Sequence, residues 1–345
     1  MAKVREHGII IGSLKTGRNN CITDVKDVKV GHKSLYFEDG KDCACTGVTA
    51  ILPHGGNLFK EKVVAAVYVI NGFGKAIGSI QIDELGTIES PIMLTNTLSV
   101  PEVAAAAVEY MLKHDEEISS VNVVVGECND SKLNSIRKRY VSKEHAGEAL
   151  KAATDSTCEE GAVGAGMGMV CFGYKGGIGC SSRLAEHDDG AYTVGVLTLT
   201  NFGKPEQFKY LSYTSKNPAT PNENEDTDGS IMIILATDAP LSDRQLKRVA
   251  KRAAVGLART GGNWNHGSGD IVIAFSTANK LRQDSSDTSR LSEPCSVIRE
   301  NDPVFNELFS AAADATEEAI LNSLSQAKTI KGKEGTIIEK YDFSD

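Results

Sequence analysis

His266-Gly267-Ser268-Gly269-Asp270, followed at once by Ile271-Val272-Ile273-Ala274-Phe275, is the stretch on which the reading of this chain turns. A serine between two glycines stands at the mouth of an apolar run. One reading is a glycine turn feeding a strand, because glycine adopts backbone angles that other residues resist. The other is chemical: the chain cuts its own Gly267–Ser268 bond and Ser268 becomes a new N-terminus. Such a serine needs no histidine partner. Its own α-amine, with a pKa of about 7.7–8.0, can serve as general base near neutral pH. The local residues leave both readings open, and the rest of the chain has to decide.

Outward from this point, short apolar runs rich in β-branched residues recur at 48–52, 63–70, 92–94, 121–125, 193–199, 231–236 and 271–275. Most are bounded by Gly, Pro or Asn and read as strands. Helical spacing appears over 101–113, which opens with Pro101 and is rich in alanine. Ser242 is a plausible N-cap for a helix running to Arg259, with Leu246, Val249, Ala253 and Leu257 on one face. A further helix is predicted over 303–324, carrying Phe305, Leu308, Phe309, Ala312, Ala319, Ile320 and Leu324. Strands and helices mix without strict βαβ alternation, so an α/β (α+β) fold of stacked sheet and helix layers is expected. The polar stretches 214–228 and 282–294 read as surface insertions, and 331–338 as an added edge strand.

A chain of 345 residues with 41% hydrophobic content can bury one large core or two modest ones. The formal charge of −9 and the lack of a basic stripe argue against nucleic acid; Arg137-Lys138-Arg139 reads as a solvated face. No apolar leader or 18-residue apolar stretch is seen, so no membrane partner and a cytoplasmic location are expected. The eight cysteines are scattered apart from a lone Cys43-Ala44-Cys45. Without a CxxC pair or an HExxH helix, neither a disulfide framework nor zinc is expected, and the metal expectation is none. The glycine-rich segment 161–169 fails the dinucleotide pattern, because Met169 stands where the third glycine is needed. Close backbone packing, or the wall of a small pocket, fits it better.

Several phrases together resemble one family. They are Ile22-Thr23-Asp24-Val25 with Val30-Gly31-His32; 47–53 (GVTAILP) followed by His54-Gly55-Gly56-Asn57; and 69–74 (VINGFG). They continue through Glu84-Leu85-Gly86-Thr87, Leu94-Thr95-Asn96-Thr97, 125–130 (VGECND), 161–179, Thr200-Asn201-Phe202-Gly203 and 236–241 (ATDAPL). Gly267-Ser268-Gly269-Asp270 and 315–320 (ATEEAI) complete the set. In this order, from about residue 20 to 325, the chain resembles the self-processing N-terminal-serine aminopeptidases. That family includes L-aminopeptidase/D-amidase-esterases and β-peptidyl aminopeptidases.

The resemblance implies a four-layer αββα sandwich like that of N-terminal nucleophile hydrolases. It also implies one catalytic domain over 1–345, self-cleaved into 1–267 and 268–345, and a homo-oligomer: a tetramer of the processed heterodimers. On matching positions, Ser268 is the nucleophile and Asn201 the amide that donates to the oxyanion. A fixed donor of this kind strengthens as charge develops in the transition state. Thr316 and Glu318 form a hydroxyl/carboxylate pair beside the new amine, with Glu317 the alternative acid; by itself this segment reads as an ordinary solvated helix. No metal or organic cofactor is implied. Glu127, Asn129, Asp130 and Asn134 form a polar cluster after the 121–125 run. They would either bind the free α-ammonium of a small peptide, amide or ester substrate, or simply make a turn. Asn71 and Asn96 are weaker pocket candidates. The rival functions are an acyltransferase on a similar self-cleaving scaffold and an unprocessed binding protein.

Overall fold

Strands that are apolar at every position, rather than at every second one, need cover on both faces. The computed structural model, which describes residues 2–188, 190–210, 229–283 and 291–343, supplies it. In chain order the strands are β1 (Lys29–Asp39), β2 (Asp42–Leu52), β3 (Glu61–Gly72), β4 (Ala76–Ile77), β5 (Thr87–Ile88), β6 (Ile92–Asn96) and β7 (Val124–Cys128). They continue as β8 (Val170–Cys171), β9 (Tyr174–Lys175), β10 (Ile178–His187), β11 (Gly190–Asn201), β12 (Ser230–Thr237), β13 (Gly269–Arg282), β14 (Ile330–Lys331) and β15 (Ile337–Ile338). The helices are α1 (Ser79–Leu85), α2 (Val100–His114), α3 (Lys143–Lys151), α4 (Asp243–Ala250), α5 (Ala253–Thr260) and α6 (Val304–Ser325).

One sheet has the order β1-β2-β6-β7-β4 and the other β10-β11-β12-β13-β3-β5. Each is antiparallel apart from one parallel pair, β6 with β7 and β12 with β13. Strand periodicity divides every central run between two cores. Met232, Ile234 and Ala236 point to the inter-sheet core with Ile51, Leu94, Leu197 and Ile273. Their neighbours Ile231, Ile233 and Leu235 point the other way, onto Leu246, Leu257, Ala312 and Ile320 of α4, α5 and α6. Outside the first sheet, Val48 and Met93 pack with Val103 and Ala107 of α2 and Ala149 of α3. The layers therefore run helix, sheet, sheet, helix, as the resemblance implies.

Several expectations shift in detail. The strand expected at 121–125 begins three residues later, at Val124. Ser242 does cap α4, its Oγ accepting the Gln245 N–H at 3.2 Å, but the helix expected to reach Arg259 is interrupted at Lys251 and Arg252. Residues 331–338 do not extend either sheet: β14 and β15 pair only with each other, around a turn where Gly335 has φ +76°. The insertion 214–228 lies outside the described residues. Of 282–294, Arg282 ends β13, while Gln283 and 291–294 form no helix or strand. The segment 161–169 packs closely through its glycines, while Ala162, Val163 and Met167 line an open cleft. A Cβ on Gly168 would sit 2.2 Å from the Cys45 carbonyl oxygen, and one on Gly164, at φ +53°, 2.4 Å from Thr49 Oγ1. Among the described residues no helix is long and apolar enough to cross a membrane.

Candidate active site

β13 runs through the middle of its sheet, so its first residue opens between two neighbours: Gly269 pairs with Ser230 of β12 and with Gly72 of β3. Ser268, one residue earlier, is buried at this junction. Its N–H closes a turn onto the Asn265 carbonyl at 2.9 Å, and its carbonyl accepts the Phe73 N–H at 3.1 Å. Asn71, at the end of β3, grips the same loop. Its Nδ2 lies 3.0, 3.1 and 2.5 Å from the carbonyl oxygens of Asn265, His266 and Ser268. A small cleft lined by Phe202, Gly203, Gln207, Trp264 and Asn265 opens onto Ser268 and Asp270.

The Ser268 hydroxyl donates to Asp270 Oδ1 at 2.8 Å. Asp270 is buried, and its Oδ2 has no full hydrogen bond. Burial pushes its pKa up to about 6, against the opposing pull of the Ser268 hydroxyl and the Ile231 backbone. Sequence reading quoted Asp270 within the cut-site motif but gave it no role. The strand expected at 271–275 starts after both residues, whereas β13 begins at Gly269 and so fixes Asp270 beside the serine.

Glu127, on β7, is buried on the far side of Gly74. A Cβ on Gly74 would lie 3.1 Å from Gly269 Cα and 3.6 Å from Glu127 Oε1, so one glycine separates the carboxylate from the start of β13. Glu127 accepts the Lys75 N–H at 3.0 Å and the Thr97 hydroxyl. Asn129 and Asp130 do form a turn: Asn129 Oδ1 accepts the Ser131 N–H at 2.9 Å, and the Asp130 carbonyl accepts the Asn134 N–H at 2.9 Å. Asp130 is fully buried, with Asn134 Nδ2 donating to it at 2.9 Å, and burial pushes its pKa up to about 7. Asn134 in turn accepts the Cys45 N–H at 3.2 Å. Asn201 closes β11 opposite Ser230, so it lies two strands from Gly269. Its Nδ2 donates to the Asn129 carbonyl at 2.9 Å and its Oδ1 accepts the Val170 N–H at 3.0 Å. Asn96 Oδ1 accepts the Leu98 and Ser99 N–H groups, each at 3.1 Å, in the turn that leads into α2.

The three α6 residues are buried, unlike an ordinary solvated helix segment. Thr316 Oγ1 donates to the Ala312 carbonyl at 2.7 Å. Glu317 accepts the Tyr210 hydroxyl at 2.8 Å and faces Arg259 Nη1 at 3.4 Å. Glu318 accepts from Arg5 Nε at 2.9 Å, Asn20 Nδ2 at 2.5 Å and Arg183 Nη2 at 2.6 Å. The hydrogen bonds described for these residues do not reach Ser268. The geometry thus joins Ser268 to Asp270 and Asn71, places Glu127 just behind Gly74, and puts Asn201 and Asn129 at the neighbouring strand end.

The sequence model of peptidase family S58 matches residues 20–338. A β-peptidyl aminopeptidase of Sphingosinicella microcystinivorans is 41% identical, over 94% of this chain and 86% of that protein. A solved β-aminopeptidase from Burkholderia sp. superposes with a TM-score of 0.91 at 36% identity, covering 99% of this chain and 96% of its own. The L-aminopeptidase D-Ala-esterase/amidase of Ochrobactrum anthropi gives 0.89 at 31% identity with the same coverage, and is described as a prototype serine aminopeptidase with a variant Ntn hydrolase fold.

Proposed function

The chain belongs to peptidase family S58, and from that premise we propose that it matures by cutting its own Gly267–Ser268 bond and then works through the amine so released. It is a hydrolase, an aminopeptidase of the N-terminal-nucleophile serine type. The observation that carries the proposal is the 2.8 Å hydrogen bond from Ser268 Oγ to Asp270, beside a loop held by Asn71.

Before the cut, the Ser268 nitrogen is an amide and cannot act as a base. Asp270 takes that part: Oγ attacks the Gly267 carbonyl carbon and its proton passes to the carboxylate. The C–N bond then breaks with protonation of the Ser268 nitrogen, leaving an ester. Water hydrolyses the ester, giving a carboxylate on Gly267 and a free amine on Ser268. In the mature enzyme that amine accepts the Oγ proton as Oγ attacks a substrate carbonyl. The first amine or alcohol leaves, and water frees the acyl group.

Asn201 keeps a second Nδ2 hydrogen beyond the one given to Asn129, and supplies it to the oxyanion. Glu127, buried one glycine away from β13, holds the substrate's free ammonium by a charge-assisted hydrogen bond. Asn129, Asp130 and Asn134 shape the turn that fixes it. The contacts of Thr316 and Glu318 support a positioning role, with Glu318 anchoring the N-terminal segment to α6 and β10. The substrates are small peptides, amides or esters with an unblocked N-terminus. No cofactor takes part, and the working form is a cytoplasmic tetramer of processed heterodimers.

Intact-mass analysis tests the central step. Two fragments, 1–267 and 268–345, are expected without added protease, and Ser268→Ala should remain full length. Cleavage of that variant at the same bond would overturn the proposal.

A further inference from the structure

The cysteines that look scattered along the chain are partly gathered by the fold. Cys21 precedes the 3-10 turn Ile22–Asp24, Cys158 follows α3, and Cys180 lies on β10. All three side chains are buried, and their Sγ atoms lie within 4.8 Å of one another. His32, from β1, brings its Nε2 to 3.2 Å from Cys158 Sγ. We propose that Cys21, Cys158, Cys180 and His32 form a structural zinc site, separate from the serine chemistry.

The donor set is the first argument. Three soft thiolates and an imidazole suit zinc and disfavour the hard cations that prefer oxygen. Geometry is the second. Tetrahedral ligands at about 2.3 Å from zinc imply sulfur–sulfur distances of about 3.8 Å. Sulfurs within 4.8 Å of one another reach that spacing through side-chain shifts of roughly an ångström, and the His32 ring, which stands against Cys158, has to turn toward the other two sulfurs to complete the site. The third is the surrounding scaffold. Thr49 Oγ1 stands 2.9 Å from His32 Nδ1, so it can take the Nδ1 proton while Nε2 offers its lone pair. The Cys21 N–H is tied to Asp24 at 3.0 Å and the Cys180 N–H to Glu160 at 2.6 Å. Cys158 also lines an open surface cleft with Lys3, Glu160 and Val163, which gives an ion a way in. Binding replaces three S–H protons by metal–sulfur bonds and releases the protons to solvent through that cleft. The four ligands share no residue with the Ser268 cleft, so the metal would hold the fold together rather than act on substrate.

The competing view treats the thiols as small core hydrophobes. Titration of the reduced, chelator-treated full chain with cobalt(II) separates the two. One equivalent should bind with the visible absorption of a tetrahedral thiolate site and a sulfur-to-metal charge-transfer band, and zinc should displace it. Cys180→Ser should lose the band, and replacing the exposed Cys295 by Ser should leave it unchanged. Thr49→Val should weaken binding about 10–100-fold. Zinc should raise the melting temperature of the wild-type chain, a readout that survives if the cysteine variants fail to fold. A wild-type chain without the charge-transfer band would overturn the site. So would equal cobalt binding by a folded Cys180→Ser protein, or a disulfide between two of the three cysteines in freshly isolated, unreduced protein.

Discussion

Two buried carboxylates in this molecule live very differently. Glu318 is surrounded by donors: two arginines and an asparagine converge on it from the N-terminal segment and from β10. Asp270 receives one hydroxyl and leaves an oxygen without a full hydrogen bond. A buried carboxylate that is paired and saturated stays where it is and resists change. One that is left short of partners is costly as an anion and is therefore ready to accept a proton. The first arrangement holds a structure, whereas the second stores a capacity to react, and it sits beside the serine.

Asp270→Asn should break the comparison most sharply, because it keeps the shape and removes the base. Self-cleavage should slow by about 10²–10⁴, the range for removing a positioned general base, and the precursor should accumulate on gels. The wild-type pH dependence sharpens the same point. With its pKa near 6, Asp270 is protonated at about pH 5 and cannot take the Ser268 proton, so precursor processing should rise as pH climbs through about 6. A pH-independent rate would remove Asp270 from the step.

Glu318→Gln addresses the other side. It strands the fully buried Arg183 without its anion, and a loss of about 3–5 kcal/mol in unfolding free energy is expected by denaturant titration. If stability holds while maturation or turnover fails, Glu318 belongs with the chemistry and not with the scaffold. Asn201→Ala should cut the turnover number of the mature enzyme by roughly 10²–10³, the cost of losing an oxyanion donor, with folding and processing retained. Normal turnover would give that donation to another group. The smallest effect is expected from Glu317→Gln, whose partner Arg259 is half-exposed; a stability change of about 1 kcal/mol or less follows, with turnover unchanged.

What could be read from the sequence was whatever is local. β12 and β13 declare themselves through continuous apolar runs that only a doubly covered sheet explains, whereas the glycine neighbours of Ser268 fit a plain turn as well, and it took the phrases along the rest of the chain to single that serine out. β10 was missed because Ser181, Ser182 and Arg183 are polar and yet fully buried. Their partners, Asn20, Asp24 and Glu318, come from far along the chain, so nothing nearby marks those positions as interior. The same holds for the sulfur cluster, whose members sit on three separate segments. The break between α4 and α5 carries no glycine or proline to announce it. Asp270 was passed over for a different reason: the run expected as a strand, 271–275, starts after it, whereas β13 begins at Gly269 and brings the carboxylate to the Ser268 hydroxyl.

The central position of β13 has a consequence for the life of the processed protein. The piece 268–345 would contribute a strand held on both sides, by β12 and β3, and the long α6 packed over β10 and β11. Cutting one peptide bond at its leading end would leave all of those contacts in place, so the two fragments should stay together. Unfolding would be another matter. Once melted, they would be separate chains that must find each other by diffusion and rethread a middle strand, where the precursor needed only to fold upon itself. Maturation would thus act as a ratchet, turning a protein that can refold into one whose persistence rests on how slowly it opens.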